Sequence, residues 1–232
     1  MARLTPPPSV EALHEASENR AMFDRIAHRY DLMNRVLTLG LNNAWRRRTV
    51  AALGLPPGSL VVDLGCGTGD LCDAAQGAGL RCVGIDVAAG MLAHSHTSAP
   101  LVRADILHLP FADGAADGAV CGFALRNVAD IAACFHEAAR VIRPSGRVGF
   151  IEVAEPANPL LRGAHHLYFR RVVPVVGGLL SDRDAYRYLP ASISWLPSPS
   201  ELLGMLRDAG FSDVERRSLG AGAVQLLTGT RT

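Results

Sequence analysis

Apolar and polar positions change their spacing along the chain, and the changes predict where helices and strands lie. Over residues 17–53, apolar side chains recur at intervals of one, three and four, which predicts helices with a break at Gly40. Further on, short apolar runs alternate with helical segments. The predicted strands are residues 60–64, 80–85, 101–104, 118–122 and 147–153, and the predicted helices between them are residues 70–77, 88–95 and 130–142. This alternation predicts a parallel sheet covered by helices on both faces.

The pattern changes after residue 156. The helices predicted there are residues 158–173, residues 182–194 and a segment from residue 197. Ser198 or Ser200 is the expected cap of the last one. Two strand-like stretches, residues 214–219 and 223–228, predict a closing hairpin. The expected fold is therefore α/β and Rossmann-like: a mostly parallel seven-stranded sheet with helices on both faces and a C-terminal β-hairpin.

Length and composition limit the function classes. We expect a flexible tail over residues 1–16 and one domain over residues 17–232. The formal net charge of +1 argues against a nucleic-acid surface that neutralises phosphates. The chain has no apolar run long enough for a membrane span and no apolar signal-peptide core near Met1, which predicts a cytoplasmic protein. The five cysteines form no C-x-x-C pair, and the sequence offers no metal site.

The stretch from Val61 to Asp70, VVDLGCGTGD, carries most of the chemical information. Its glycines, Gly65, Gly67 and Gly69, allow backbone conformations closed to other residues and a close approach to a ligand. The dinucleotide fingerprint G-x-G-x-x-G would need a third glycine where this chain has Asp70, and a carboxylate there would repel a pyrophosphate. A cationic nucleoside without phosphate, S-adenosylmethionine, is favoured. A purely structural glycine turn is the alternative.

Carboxylates follow three successive predicted strands, at Asp63, Asp86 and Asp105. Ligands of such sheets lie beyond the carboxyl ends of the strands, so the three should converge on one crevice. Asp86 is placed to accept hydrogen bonds from both ribose hydroxyls of the cofactor. Asp63 fixes the turn or receives the ammonium group.

Apolar neighbours complete the predicted cofactor site. Asp105 can accept from the adenine amino group while Ile106 covers the ring, and Met91 packs on the other side of the purine or belongs to the helix core. Val87, directly after Asp86, is included among the cofactor contacts.

Further segments resemble the ubiquinone/menaquinone biosynthesis C-methyltransferase family. Residues 22–34 read MFDRIAHRYDLMN, which is similar to the opening F-D-x-I-A-x-x-Y-D-x-M-N of that family. The other matching segments are residues 39–47, 125–128, 140–147, 158–162, 185–190 and 209–211. Three departures fall in the substrate-covering half: Ala191 where the family has glutamate, His165-His166 for a Tyr-Asp pair, and a weakened C-terminal motif.

The resemblance implies a class I methyltransferase that uses S-adenosylmethionine and no metal to methylate a ring carbon of a polyprenylated quinol, most closely demethylmenaquinol. It implies N-terminal helices over residues 17–53 and a substrate-covering insertion over residues 157–195. Cofactor contacts are implied at Thr68, Asp86, Asp105 and Gly122, with Tyr30 near the cofactor and Arg126 in the reaction chamber. The alternatives are a benzoquinol methyltransferase of ubiquinone synthesis, a small-molecule methyltransferase, an NAD-dependent oxidoreductase and a catalytically silent scaffold.

A quinol ring carbon is nucleophilic when a neighbouring hydroxyl loses its proton. Arg126 could stabilise the phenolate, but its pKa above about 12 excludes it as a base; a structural pairing with an acid is the alternative role. His28, His165 and His166 are the candidate proton acceptors. Apolar residues within 160–180 could line a prenyl channel or form a core face, and nearby arginines could contact anionic lipid at a membrane surface. The sequence leaves open whether the protein forms a homodimer.

Overall fold

A seven-stranded sheet organises the protein, whose computed structural model describes residues 10–173 and 196–232. The strand order is β3-β2-β1-β4-β5-β7-β6. The strands are β1 Leu60–Leu64, β2 Arg81–Asp86, β3 Leu101–Arg103, β4 Ala116–Gly122, β5 Ile142–Val153, β6 Phe211–Leu219 and β7 Val224–Arg231. β7 runs antiparallel to β5 and β6, and the other neighbours are parallel. The predicted fold, with its C-terminal hairpin, is confirmed.

Helices cover both faces of the sheet. They are α1 Val10–Leu37, α2 Leu41–Ala52, α3 Asp70–Gly77, α4 Ala89–Ala93, α5 Ile131–Val141, α6 Pro159–Leu167 and α7 Pro199–Asp208. α2 and α3 share one apolar cluster with β1, whereas α5 and α7 share another on the opposite face. In the second cluster the rings of Phe135 and Phe150 lie 4.8 Å apart between centroids.

The central strand β1 shows how the sequence pattern produces the two layers. Val62 and Leu64 belong to the cluster with α5, and Val61 belongs to the cluster with α2 and α3. Successive side chains of a strand point to opposite faces, so Asp63 shares the face of Val61 and lies under α3. Full burial of each apolar side chain stabilises the fold by about 1.5–3 kcal/mol.

Several element boundaries differ from the sequence-based prediction. α1 begins at Val10 rather than at Ser17, while residues 1–9 lie outside the described part of the chain. β5 begins at Ile142 rather than at Arg147, because Pro144-Ser145-Gly146, which the sequence predicts as the turn that closes the helix over residues 130–142, is a bulge inside the strand. Ile142 pairs with Ala116 before the bulge and Arg147 pairs with Gly118 after it. The bulge therefore lengthens the pairing between β4 and β5.

The segment predicted as one helix over residues 158–173 is α6 followed by a π-helical turn, Tyr168–Val172. The helix predicted over residues 182–194 lies outside the described residues. α7 is capped by Ser198, whose hydroxyl accepts from Glu201 N while the Glu201 carboxylate accepts from Ser198 N. Among the helices of the described segments, none has the length and apolar character needed to cross a membrane.

Candidate active site

The glycine turn connects β1 to α3 and approaches its neighbours too closely for a side chain. The amides of Gly65 and Cys66 both donate to the carbonyl of Ile85, which ties the turn to β2. A Cβ on Gly65, whose φ is 71°, would lie 2.7 Å from the Cβ of Ala124. One on Gly69, whose φ is 98°, would lie 2.5 Å from Cγ2 of Thr97. The positive φ angles and the lack of space for a Cβ atom therefore both require glycine at these two positions of the turn.

A cleft of about 450 Å³ opens beside this turn, at the carboxyl ends of the strands. We call it the cofactor cleft. It contains most of the residues predicted for the cofactor. Those lining it are Tyr30, Gly65, Gly67, Asp86, Val87, Met91, Asp105, Ile106 and Gly122. Of the remaining predicted residues, Thr68 and Gly69 belong to the turn but do not line the cleft, Asp63 lies behind the turn, and Arg126 lines a second cavity.

Asp86 holds the backbone of the glycine turn. Its Oδ2 accepts from Gly67 N at 2.8 Å and its Oδ1 accepts from Ala88 N at 2.8 Å. Burial raises the pKa of this carboxyl, and the hydrogen bonds from Ala88 and Gly67 oppose that rise. Each carboxylate oxygen keeps further acceptor capacity for a ligand hydroxyl in the cleft.

The apolar residues of the cleft lie close to the same turn. Met91 is buried, and its Cε would be 3.1 Å from a Cβ on Gly67, so its side chain packs over that glycine. Asp105 is exposed and its Oδ1 accepts from Leu107 N at 2.9 Å. Ile106 follows it in the wall of the cleft. Carboxylates at Asp86 and Asp105 beside apolar side chains suit a nucleoside with an aromatic base.

Asp63 lies behind the turn, with only 1% of its surface exposed. Its Oδ2 accepts from the Cys72 thiol at 3.4 Å, and its Oδ1 has no hydrogen-bond partner within the described part of the chain. Burial raises the pKa of this carboxyl well above its usual range. A buried carboxylate with an open oxygen would be stabilised by a cation brought near it, which fits the ammonium group of S-adenosylmethionine.

Thr68 fastens α1 to the turn. Its buried hydroxyl donates to Oδ1 of Asp31 at 2.6 Å, and the other Asp31 oxygen lies 3.3 Å from the His96 ring. A second tie joins Asp24 Oδ1 to Gly90 N at 2.6 Å. α1 is therefore held over the cofactor cleft. Asp24 and Asp31 belong to the family-like segment 22–34, which is the signal that could have identified them.

Asp70 faces away from the cofactor cleft. Its Oδ2 lies 2.5 Å from Nη1 of Arg46, and its Oδ1 lies 3.4 Å from the His96 ring. Burial raises the pKa of the Asp70 carboxyl, and Arg46 opposes that rise. Asp70 is therefore held by Arg46 outside the cofactor cleft, and its position does not support the expected repulsion of a pyrophosphate by this carboxylate. Donor atoms of Asp31, Asp70 and His96 converge within 4.8 Å, in an ionic network that the sequence spacing did not indicate.

A second cavity, of about 170 Å³, adjoins the cofactor cleft. We call it the reaction chamber. Tyr30 and Phe123 line both spaces. Its other walls are Asn34, Leu37, Thr38, Asn42, Trp45, Arg46, Arg126, Val153, His165, Tyr168, Val173, Ala223 and Val224. Most of the wall surface is apolar, and Arg46 and Arg126 are its cationic side chains.

Arg126 lies in the 3₁₀ turn Leu125–Asn127, just after β4, and is buried. Its Nη1 donates to Oε1 of Glu152 at 2.6 Å. The side chain therefore pairs with an acid, as the structural alternative expects, and it also lines the reaction chamber, while its action on a phenolate stays a prediction. Glu152 was missed because nothing in the local sequence distinguishes it from other strand residues.

The three candidate proton acceptors are placed differently. His165 lines the reaction chamber, and burial lowers the pKa of its ring, which keeps it neutral. His166 is exposed and lies 2.9 Å from Glu155. His28 is exposed on α1, 6.5 Å from the ring of His94. Among these three, His165 alone lies in the chamber wall.

All five cysteines lie within the described residues, where they are buried and free. Hydrogen bonding with Cys72 and burial both raise the pKa of the Cys66 thiol, although it lies inside the glycine turn. A thiol with a raised pKa is a poor nucleophile at neutral pH, so Cys66 serves as packing between two glycines.

The strand order, the antiparallel β7 and the glycine turn after β1 define the fold of class I S-adenosylmethionine-dependent methyltransferases. A SAM-dependent methyltransferase of Thermotoga maritima superimposes with a TM-score of 0.65 at 18% identity, covering 91% of this chain and 99% of that one. A phosphoethanolamine N-methyltransferase of Haemonchus contortus, solved with S-adenosylhomocysteine, gives a TM-score of 0.60 at 12% identity, over 81% and 52% of the chains.

The sequence profile described as the ubiE/COQ5 methyltransferase family matches residues 12–231, so the chain belongs to that family. It is 44% identical to the demethylmenaquinone methyltransferase of Roseiflexus castenholzii, over 97% of both chains. It is also 38% identical to the ubiquinone/menaquinone biosynthesis C-methyltransferase UbiE of Syntrophotalea carbinolica, over 93% of this chain and 94% of that one. The protein is a methyltransferase with S-adenosylmethionine as cofactor, and an NAD-dependent oxidoreductase has no support.

Proposed function

We propose that this protein methylates a ring carbon of a polyprenyl quinol and converts demethylmenaquinol into menaquinol. The relative from Roseiflexus castenholzii carries the name of that activity. The observation that carries the proposal is the junction of two spaces, which share Tyr30 and Phe123: an acidic cofactor cleft and a mostly apolar reaction chamber whose wall includes the guanidinium groups of Arg46 and Arg126. A methyl donor on one side can thereby meet a ring on the other.

Different residues of the cofactor cleft bind different parts of the cofactor. Asp86 accepts from the ribose hydroxyls and Asp105 from the adenine amino group, both as charge-assisted bonds. Val87, Met91 and Ile106 cover the apolar faces, and the backbones of Gly65, Gly67 and Gly122 allow a close approach. Asp63 attracts the ammonium group from behind the turn. Thr68 and Gly69 act indirectly, because they fix the turn and α1 rather than line the cleft.

The bound cofactor supplies a methyl group on a sulfonium, and the chain supplies alignment and a dry chamber. Arg126 stabilises the ring oxygen as its negative charge develops, which makes the neighbouring ring carbon nucleophilic. Tyr30 holds the two reactants apart from solvent where the spaces meet. His165, kept neutral by burial, is the group in the chamber wall that can take the ring proton.

The polyprenyl tail leaves the chamber between the end of α1 and the π-helical turn. Tyr168 Oη donates to the Leu37 carbonyl at 2.6 Å, so the two segments are in contact beside the chamber. Exposed apolar side chains lie on and directly beside both segments: Leu32, Val36 and Leu39 in or just after α1, and Leu167 and Val172 just before and at the end of the π-helical turn. Exposed arginines at 35, 170 and 171 flank them. This surface, the apolar rim, rests on an anionic membrane where the quinol is dissolved.

The test is methyl transfer from labelled S-adenosylmethionine to a panel of reduced, demethylated quinols, with the labelled carbon located by mass spectrometry. The panel contains demethylmenaquinol, a 2-methoxy-6-polyprenyl benzoquinol and a tail-less naphthoquinol. We expect label on the naphthoquinol ring carbon of demethylmenaquinol. Label on the benzoquinol alone would show that the protein is a methyltransferase of ubiquinone synthesis instead. Label on neither prenylated quinol would overturn the proposal.

A further inference from the structure

Glu152 is a fully buried acid, 0% exposed, one residue before the end of β5. It lines neither cavity. Its Oε1 accepts from Arg126 Nη1 at 2.6 Å and from Val153 N at 2.8 Å, and its Oε2 accepts from Arg126 N at 3.2 Å. One carboxylate therefore holds both the guanidinium and the backbone amide of Arg126.

This arrangement has a mechanical consequence for Arg126. The arginine lies in a short 3₁₀ turn outside the sheet, whereas Glu152 lies in a strand that pairs with β4 on one side and β7 on the other. A side chain anchored at one point can still rotate about its long stem. Anchoring at the amide and at Nη1 fixes both ends, so the rigid strand determines where the guanidinium points.

The pair also has an electrostatic consequence. The Glu152 carboxylate compensates the buried charge of Arg126. Without this partner, the charge in the apolar wall would be strongly destabilising. A compensated guanidinium has little attraction for arbitrary anions, and its interaction is strongest with an oxygen that becomes negative. Such a group stabilises the transition state more than the neutral quinol.

We infer that Glu152 is a positioning residue for methyl transfer, which acts through Arg126 by fixing the direction of its guanidinium in the reaction chamber. The inference rests on the role proposed above for Arg126. It requires no contact between Glu152 and either cofactor or substrate.

The test is a double-mutant cycle on the turnover of demethylmenaquinol by the full-length enzyme. Glu152→Gln keeps the volume but has one acceptor oxygen for three donors, so kcat should fall by about tenfold or more, while the Kd for S-adenosylmethionine changes by less than about twofold. Arg126→Gln should also lower kcat. If Glu152 acts through Arg126, adding Glu152→Gln to Arg126→Gln should cause little further loss. Independent, additive losses in the cycle would overturn the inference, as would wild-type kcat in Glu152→Gln.

Asp117→Asn is the matched control. Asp117 also accepts from one guanidinium, at 2.6 Å from Arg143 Nε, and from one backbone amide, at 2.7 Å from Leu60 N, and it lines neither cavity. This variant should keep kcat. An equal loss of kcat in Asp117→Asn would mean that any broken ion pair of the sheet lowers turnover. If Glu152→Gln does not fold, Glu152→Asp replaces it, and a kcat equal to wild type there with a full loss in Arg126→Gln would contradict the inference.

A measurement without substrate separates this inference from the proposed function. The guanidinium resonances of Arg126 in the ¹⁵N spectrum, assigned by their loss in Arg126→Gln, should shift in Glu152→Gln and stay in place in Asp117→Asn. If the wild type fails to methylate any quinol but the resonances shift as expected, the proposed function is wrong and the positioning of Arg126 stands. Unmoved resonances overturn the inference whatever the substrate.

Discussion

Tyr30 and Phe123 form the wall common to the cofactor cleft and the reaction chamber. Tyr30 comes from α1, which the Thr68–Asp31 hydrogen bond holds against the glycine turn. Phe123 directly follows β4, and its amide donates to the Ile151 carbonyl at 2.8 Å. Tyr30 thus belongs to a helix that packs against the sheet from outside, whereas Phe123 follows a strand of the sheet. The geometry of the junction therefore depends on how α1 is attached to the sheet.

Phe123 has a φ of 60°, a conformation that costs a residue with a side chain about 1–3 kcal/mol. We therefore expect Phe123→Gly to be more stable than Phe123→Ala by about 1 kcal/mol, which reverses the usual order. Both variants should lose turnover, because both remove the ring from the junction. Chemical denaturation measures the difference, and a less stable glycine variant would contradict the argument.

Asp86 combines a structural and a binding role, so the choice of variant matters. Asp86→Asn keeps one acceptor for the amides of Gly67 and Ala88 and loses the charge. Affinity for S-adenosylmethionine should fall by about tenfold or more, since hydrogen bonds to a charged group are the strong ones. Titration calorimetry measures this, with Asp113→Asn, an exposed acid outside both cavities, as the control. An unchanged Kd in Asp86→Asn would remove the residue from the cofactor site.

We expect the buried carboxyl of Asp63 to favour binding of the cofactor but to lower the stability of the fold. Burial raises the pKa of its carboxyl, so in the native state it holds its proton at pH values where the unfolded chain has lost it. The native state then binds more protons than the unfolded state, and stability falls as pH rises from about 4 to the folded-state pKa. Asp63→Asn has no such proton to lose.

The Asp63→Asn variant should therefore be more stable than the wild type without cofactor, by a margin that grows as pH rises through this window. Its affinity for S-adenosylmethionine should fall by about tenfold, because the ammonium group can displace the proton of Asp63 and pair with the carboxylate, whereas the amide stays neutral. Thermal unfolding across pH, with and without cofactor, measures both effects. A margin that shrinks with rising pH would mean that Asp63 is ionised at little cost.

The sequence predicted the elements of this fold better than the pairing between them. The short apolar run of β1 predicted a buried strand, and the glycines predicted the turn, because both signals are local. The Arg126–Glu152 and Thr68–Asp31 contacts join residues 26 and 37 positions apart. Such contacts depend on which strands are neighbours and on how α1 docks. The bulge in β5 was taken for a turn for the same reason, since only its pairing with β4 on both sides shows it to be one strand.

The apolar rim predicts binding to anionic membranes. Two exposed arginines, Arg170 and Arg171, flank the exposed Leu167 and Val172. Each basic residue near an anionic surface contributes about 1 kcal/mol, so the double variant Arg170→Glu/Arg171→Glu should weaken binding to phosphatidylglycerol vesicles by about tenfold or more. Sedimentation with vesicles of graded phosphatidylglycerol content measures the effect, which high salt should diminish because it screens exposed charges.

The control for the rim reverses two exposed arginines on other elements, Arg207 at the end of α7 and Arg217 in β6. This variant has the same change in net charge, so it separates the location of the charges from their number. Binding should stay close to that of the wild type if the rim is the contact surface. Equal losses in the two variants would show that only the overall charge attracts the protein to the vesicles, and the tail would then need another route out of the reaction chamber.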